Sequence, residues 1–470
     1  MYDLVIIGST PEGIYAAMTA AALAARVALV SQGGGSSGKN DPLRRLSHLG
    51  TVQQTAEQWP QWGIEGEIRG LQWNTAIASL QEAVSTLNAQ TAPAILSALG
   101  IDWIEGNGDF CRLPQLGFIV KGRKLRSRAY LLATGTTVTP PPESANLGLT
   151  IDQLWEQDQL TKLPSQLLIV GGTPQGLELA QSLQQLGKEV TLVADKGLLP
   201  NEDLEAVQLL QAQLEANGVK IYTQSPVLQV KKLDQQCWIQ AGDYAISAQE
   251  IIWATPPQAN VKDLNLTGVG VTVKNGKVLT NQLLQTTNSK IYACGTLLGG
   301  YHQPHIAQHE ASIALKNALY LPLFSTQYYG IPWGIFTSPQ LSQVGLLARQ
   351  AKQRYGKKAL IYRQQFKHNA EAILTEKTTG FCKLIIHRNG TILGATVVGT
   401  QAAEVVDILA VAVQNKLHLN QLLKFPQLSP SLSEIVRQTA LAWKRDRWNK
   451  KTWFNRLRKR WLLWRRSLFN

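Results

Sequence analysis

A chain of 470 residues is too long for a single core of ordinary size, and its 44% hydrophobic and 17% charged content excludes a largely disordered polymer. Its four cysteines, Cys111, Cys237, Cys294 and Cys382, stand far apart without any C-x-x-C, which excludes a disulfide framework or a cysteine zinc module and fits a reducing, cytoplasmic compartment. The net charge of +14 is concentrated at one end: residues 443–470 hold eleven Lys/Arg against one Asp, while the other 442 residues carry only +4, too little for a nucleic-acid-binding face over the whole body.

The first element is the apolar strand Val5-Ile6-Ile7, followed by the turn Gly8-Ser9-Thr10-Pro11-Glu12-Gly13, an alanine-rich helix and a second strand, Val27 to Ser31. This reads as a βαβ unit. The apolar run from Ile14 to Val30 contains Arg26 and follows a glycine turn, so it is read as buried helix and strand, not as a signal peptide or a membrane span.

The unit recurs without a gap 163 residues later. Leu168-Ile169-Val170 leads into Gly171-Gly172-Thr173-Pro174-Gln175-Gly176, and a second apolar strand ends at Val193-Ala194. Gly8 and Gly171 permit the sharp strand exit, and Gly13 and Gly176 let the helix pack on the strand. The helix amino terminus then offers N–H groups and a positive dipole end to a pyrophosphate. Both copies replace the middle glycine of G-x-G-x-x-G with threonine, Thr10 and Thr173. Both also lack the ribose-binding acid at the end of the second strand, where Ser31 and Ala194 stand. Two nucleotide-free βαβ units would give the same pattern; the repetition in register favours dinucleotide binding.

Further motifs follow in a fixed order. Ala133-Thr134-Gly135-Thr136 precedes Pro140-Pro141-Pro142; Glu178 lies in the second unit's G-L-E-L-A; Ile291-Tyr292-Ala293-Cys294-Gly295-Thr296 precedes His305-x-Ala307-x-x-Glu310-Ala311. From Ile331 onward come Pro332, Phe336-Thr337, Pro339, Val344-Gly345, Thr379-Gly380-Phe381 and Ile392-Leu393-Gly394-Ala395. On these residues, residues 1 to about 442 resemble the pyridine nucleotide–disulfide oxidoreductase family of dihydrolipoamide dehydrogenase, glutathione reductase and mercuric reductase.

The resemblance implies an α/β protein with two doubly wound Rossmann-like nucleotide-binding domains plus an α+β interface (dimerisation) domain, assembled as a homodimer. The expected divisions are 1–147 (FAD-binding domain, first part), 148–262 (NAD(P)-binding domain), 263–328 (FAD/central domain, second part), 329–442 (interface domain) and 443–470 (tail). FAD is expected on Gly8, Thr10, Gly13, Ser31, Gly34, Gly35, Ser36, Ala133, Thr134, Gly135, Gly295 and Thr296. A nicotinamide nucleotide is expected on Gly171, Thr173, Gly176 and Asp195. Asp195, with only Lys196 beside it, favours NADH over NADPH.

The family's chemistry needs a C-x-x-x-x-C dithiol after the first βαβ unit. Aligned on the glycines, Ser36 and Asp41 take the two cysteine positions, and Arg45 takes that of a lysine near the flavin. Neither replacement can do a thiol's work. The family's carboxyl-terminal His-Pro reads Ser429-Pro430 here, with Glu434 retained, and serine cannot shuttle a proton near neutral pH. Arg45 and Glu178 remain as the expected catalytic pair, joined as an ion pair beside flavin and nicotinamide. No metal site is read.

The tail carries Trp443, Trp448, Trp453, Trp461 and Trp464. At helical spacing Trp453, Phe454, Leu457, Trp461, Trp464 and Leu468 share one face, flanked by arginines and lysines. Such a stripe suits an anionic membrane surface on the cytoplasmic side; docking on the body or the dimer partner, or binding an acidic protein or nucleic acid, would use the same residues. The expected function is an FAD-dependent NAD(P)H oxidoreductase passing electrons to a small-molecule acceptor other than a disulfide, a quinone if the tail meets lipid. Oxygen or a metal ion would serve the same chemistry. The alternative is a catalytically silent, dimeric binding or assembly protein.

Overall fold

A computed structural model describes residues 1–32, 42–65, 71–156, 158–234, 236–300, 302–450 and 452–467. The amino-terminal part begins with β1 (Tyr2–Ile7), α1 (Pro11–Ala22), β2 (Val27–Ser31), α2 (Pro42–Glu57), α3 (Trp73–Ala89), β3 (Asp102–Glu105) and β4 (Ser127–Leu132). Next come β5 (Gln166–Val170), α4 (Pro174–Gln185), β6 (Glu189–Val193), α5 (Leu204–Ala216), β7 (Lys220–Tyr222) and β8 (Glu250–Trp253). The chain then returns with β9 (Ile291–Ala293) and α6 (Pro304–Leu319).

These strands form two parallel sheets. The first has the order β9-β4-β1-β2-β3, and the second β7-β6-β5-β8 with the short strand Leu149–Thr150 at its edge. The strands are near-continuous apolar runs because both faces are covered. In the first sheet Leu4, Ile6, Leu29 and Leu131 pack with Ile14, Ala17 and Ala20 of α1 and Ala311 and Ala314 of α6. The alternate residues Val5, Ile7, Ala28, Val30 and Leu132 face Phe110, Phe118 and Tyr130. One-residue alternation therefore serves two cores at once. A helical face rich in alanine lets α1 lie close to the sheet. The expected doubly wound units are present, repeat and all.

The chain divides into two compact units, residues 1–200 with 214–327 and residues 201–213 with 328–470. The second contains an antiparallel sheet of β10 (Trp333–Ile335), β11 (Gln340–Gly345), β12 (Ala359–Gln365), β13 (Phe381–His387) and β14 (Ile392–Gly399), in the order β10-β11-β14-β13-β12. Helices α7 (Ala402–Gln414), α8 (Glu434–Lys450) and α9 (Thr452–Ser467) complete it. Val405, Val406 and Leu409 of α7 and Ile435, Val436 and Ala440 of α8 share a core with Leu384, Ile386 and Val397 of the sheet.

Helix α8 runs through the boundary expected at 442/443. Trp443 is 1% exposed and belongs to this core, edge-on to His418 at 5.8 Å. It is a packing residue. On α9, Leu457, Trp461 and Trp464 are exposed, and the Arg465 guanidinium lies 5.6 Å from the Trp461 ring centroid. Trp453, Phe454 and Leu468 of the expected stripe lie outside the described side chains. No described helix is long and apolar enough to cross a membrane.

Candidate functional site

The first glycine turn joins β1 to α1. Gly8 sits at φ +110°, and a Cβ there would fall 2.0 Å from the Ala133 carbonyl oxygen; at Gly13 it would fall 2.3 Å from the Gly8 oxygen. Only hydrogen fits at either position, because strand, helix and the Ala133 crossing meet there. The second turn repeats this: Gly171 sits at φ +137°, with the Ala254 oxygen 2.2 Å from its would-be Cβ, and Gly176 lies as tightly on Gly171.

The middle threonines have the same role in both turns. Thr10 Oγ1 accepts the Gly13 N–H at 3.4 Å and donates to Ala133 O at 2.9 Å. Thr173 Oγ1 accepts the Gly176 N–H at 3.1 Å and donates to Ala254 O at 2.8 Å. Each is the N-cap of its helix and ties it to the neighbouring crossing. The hydroxyl thus takes one helix-end donor that a glycine would leave open.

Ala133, Thr134 and Gly135 follow β4, and Gly295 and Thr296 follow β9, so the first sheet brings them beside the first turn. A Cβ on Gly135 would lie 3.0 Å from Thr10 Cγ2 and 3.9 Å from Thr296 Oγ1. Thr136 Oγ1 donates to Thr296 Oγ1 at 3.2 Å. Asn260 grips the same crossing: its backbone N–H donates to Gly135 O at 3.0 Å and its side chain to Thr134 O at 3.2 Å. The buried Thr134 hydroxyl has no partner among the described residues. Ser31 Oγ lies 2.9 Å from Ser9 Oγ of the first turn.

Two acids complete the site. Glu310 Oε2 accepts the Gly295 N–H at 2.6 Å. Glu12 is buried on the first turn of α1, with its carboxylate against Gly295. Burial, and to a smaller degree the nearby Glu310 charge, pushes its pKa up to about 7.

Gly34, Gly35, Ser36 and Asp41 lie outside the described residues. Glu178 is buried and partnered on α4, and Asp195 is exposed just past β6. Arg45 and Glu178 do not form the expected ion pair. Helices α2 and α4 do touch, with Ser47 Oγ 2.9 Å from Ser182 Oγ, but Arg45 donates from Nη2 to Ser79 Oγ of α3 at 2.7 Å. The sequence alone assigns no role to Glu12, Glu310, Ser9 or Asn260. The signal for Glu12 was its place between the turn glycines, where an acid reads as an ordinary complement to the helix dipole.

Comparison with known proteins agrees with this architecture. Residues 2–311 match the model of the pyridine nucleotide-disulphide oxidoreductases, and residues 331–440 that of their dimerisation domain. The chain is 28% identical over 466 residues to a mercuric reductase of Staphylococcus aureus, covering 95% of this chain and 83% of that one. It is 27% identical over 455 residues to a dihydrolipoyl dehydrogenase of Bacillus subtilis (strain 168), covering 93% and 98%. Among solved structures, LpdA of Mycobacterium tuberculosis superimposes with a TM-score of 0.84 at 24% identity, covering 93% and 99% of the two chains. The HOCl-induced flavoprotein disulfide reductase RclA of Escherichia coli, as its Cu(II) complex, gives 0.81 at 22%, covering 94% and 99%.

The chain belongs to the pyridine nucleotide-disulphide oxidoreductase family. That family consists of FAD-dependent pyridine nucleotide oxidoreductases, which use FAD and NAD(P)H, and the dimerisation domain supports a homodimer. The glycine cradles and the orphaned Thr134 hydroxyl fit a bound dinucleotide. Glu12 is the exception.

Proposed function

We propose that the chain is an FAD-dependent NAD(P)H oxidoreductase whose electron acceptor is not a disulfide. The observation that carries this reading is the state of its thiols. All four cysteines are free, no two are spaced as a redox dithiol, and Cys294 and Cys382 are fully buried. Burial pushes the Cys382 thiol up to about 12 and the Cys294 thiol well above its ordinary value, so neither offers a thiolate near neutral pH. The nucleotide turns, in contrast, are kept in duplicate.

FAD, when bound, supplies a two-electron carrier between nicotinamide and acceptor. The chain's own residues would bind and orient. Gly8, Thr10 and Gly13 hold the first helix terminus toward the flavin nucleotide, with Ala133, Thr134, Gly135, Gly295 and Thr296 around it. Gly171, Thr173 and Gly176 do so for the second nucleotide, with exposed Asp195 placed to accept from a ribose hydroxyl, which favours NADH. Buried Glu178 on α4 and Arg45 on α2 are the proposed catalytic residues, acting separately and not as a pair. Exposed Leu457, Trp461 and Trp464 among the arginines of α9 support attachment to an anionic membrane surface, where a quinone is the natural acceptor.

The test is optical. Purified protein should be yellow, bleach with NADH under argon, and recover its colour on adding a soluble quinone. Colourless protein that FAD cannot reconstitute would remove the enzyme reading. The silent, dimeric assembly protein would then stand, a reading favoured by the Ser9–Ser31 pair, which spends the ribose-binding position inside the protein. Sedimentation with anionic liposomes tests the tail: equal pelleting with and without residues 451–470 would reject its lipid role.

A further inference from the structure

The amino terminus of α1 is a seat for an anion, since its first N–H groups and its dipole both favour negative charge. That seat already faces a carboxylate of the protein's own. Glu12 is 5% exposed, on the first turn of α1. It lies flat on the Gly295 turn: a Cβ on Gly295 would be 2.2 Å from Glu12 Oε1 and 2.8 Å from its Cδ. The Gly295 N–H is itself taken by Glu310. The turn that the family resemblance assigns to flavin phosphate and ribityl groups is therefore closed by two acids.

The titratable groups facing Glu12 among the described residues are Glu310 from α6 and Cys294 from the end of β9. Both ionise to anions, so neither offsets a second negative group brought into the same space. A diphosphate and an ionised Glu12 compete for the same helix-end donors in a desolvated site. At the equivalent place in the second turn stands Gln175, half-buried and uncharged.

We propose that Glu12 is the resident anion of the flavin diphosphate seat: FAD enters only by displacing its carboxylate, and this one residue sets how tightly the chain holds flavin. The inference rests on the FAD reading for the identity of the seat alone. A neutral Glu12 opposes the diphosphate least, so flavin affinity falls as pH rises from 6 to 8 through the residue's raised pKa.

The experiment titrates FAD into flavin-stripped, full-length wild type, Glu12→Gln and Glu12→Ala, following flavin fluorescence at pH 6 and pH 8. At pH 8 both variants should bind about tenfold more tightly or better, the scale of one charge-assisted hydrogen bond. At pH 6 the Gln variant should approach wild type. Equal affinity of all three at both pH values overturns the inference, as does failure of every form to bind. Bleaching by NADH is read on the same samples. Filled Glu12→Ala protein that NADH cannot bleach ends the oxidoreductase reading and leaves this inference standing. Wild type that is full and bleached, with unchanged affinity in the variants, does the reverse.

Discussion

The two nucleotide turns share a backbone and differ in what fills it. Both place glycine where a Cβ would strike a carbonyl, and both cap the helix with a threonine tied to the next crossing. The second stops there: Thr173 and Gln175 are half-buried, and Asp195 beyond β6 is exposed. The first continues inward. Thr10 and Glu12 are buried, Ser9 and Ser31 satisfy each other, and Glu310 takes the Gly295 N–H. Backbone geometry thus makes a nucleotide turn available, and the side chains lining it decide how open the seat is.

The part common to both turns should give the largest effect. Gly13→Ala and Gly176→Ala each drive a Cβ to within 2.3 Å or less of a backbone oxygen that the sheet holds in place. Each should lower the apparent melting temperature by about 5–10 °C, a destabilisation of roughly 2–3 kcal/mol. Equal shifts would show that the two cradles are mechanically alike. A tolerated alanine at either would show that its turn relaxes.

Glu12→Gln should separate the turns. A carboxyl whose folded pKa is raised from 4.5 to about 7 contributes stability that is complete below 4.5 and lost as pH rises through 7. Melting curves from pH 5 to pH 8.5 should show the variant equal to wild type at the acid end. At the alkaline end it should be more stable by about 1–3 kcal/mol. The matching Gln175→Glu change in the half-buried second turn should show no such pH dependence.

The parallel sheets and the repeat were legible because strand and helix periodicity and glycine turns are local properties of the chain. The antiparallel sheet was legible through motifs in a fixed order. Pairing choices were not legible. Arg45 and Glu178 sit on touching helices, yet the guanidinium went to Ser79, whose position depends on how α3 packs. Trp443 looked like the first residue of a basic tail by composition, but helix α8 carries it into a core. Glu12 was hidden for the same reason: its environment is made by Gly295, nearly three hundred residues away in the chain.

The smallest effect concerns the threonine caps. Thr→Val preserves shape and removes the hydroxyl, so each variant leaves one helix-end N–H and one carbonyl short of a partner, at about 1 kcal/mol. If cap and tie are the whole role, Thr10→Val and Thr173→Val should lose the same amount. Thr10 also faces the Glu12 carboxylate, whereas Thr173 faces no acid at the equivalent place. Its loss should therefore cost more at pH 8, where Glu12 is ionised, than at pH 5. In the Glu12→Gln background that pH dependence should vanish, and the Thr10 and Thr173 losses should converge. The double-mutant cycle reads the Thr10–Glu12 coupling directly. A coupling of zero would mean that the buried acid and the cap share a turn without any energetic link.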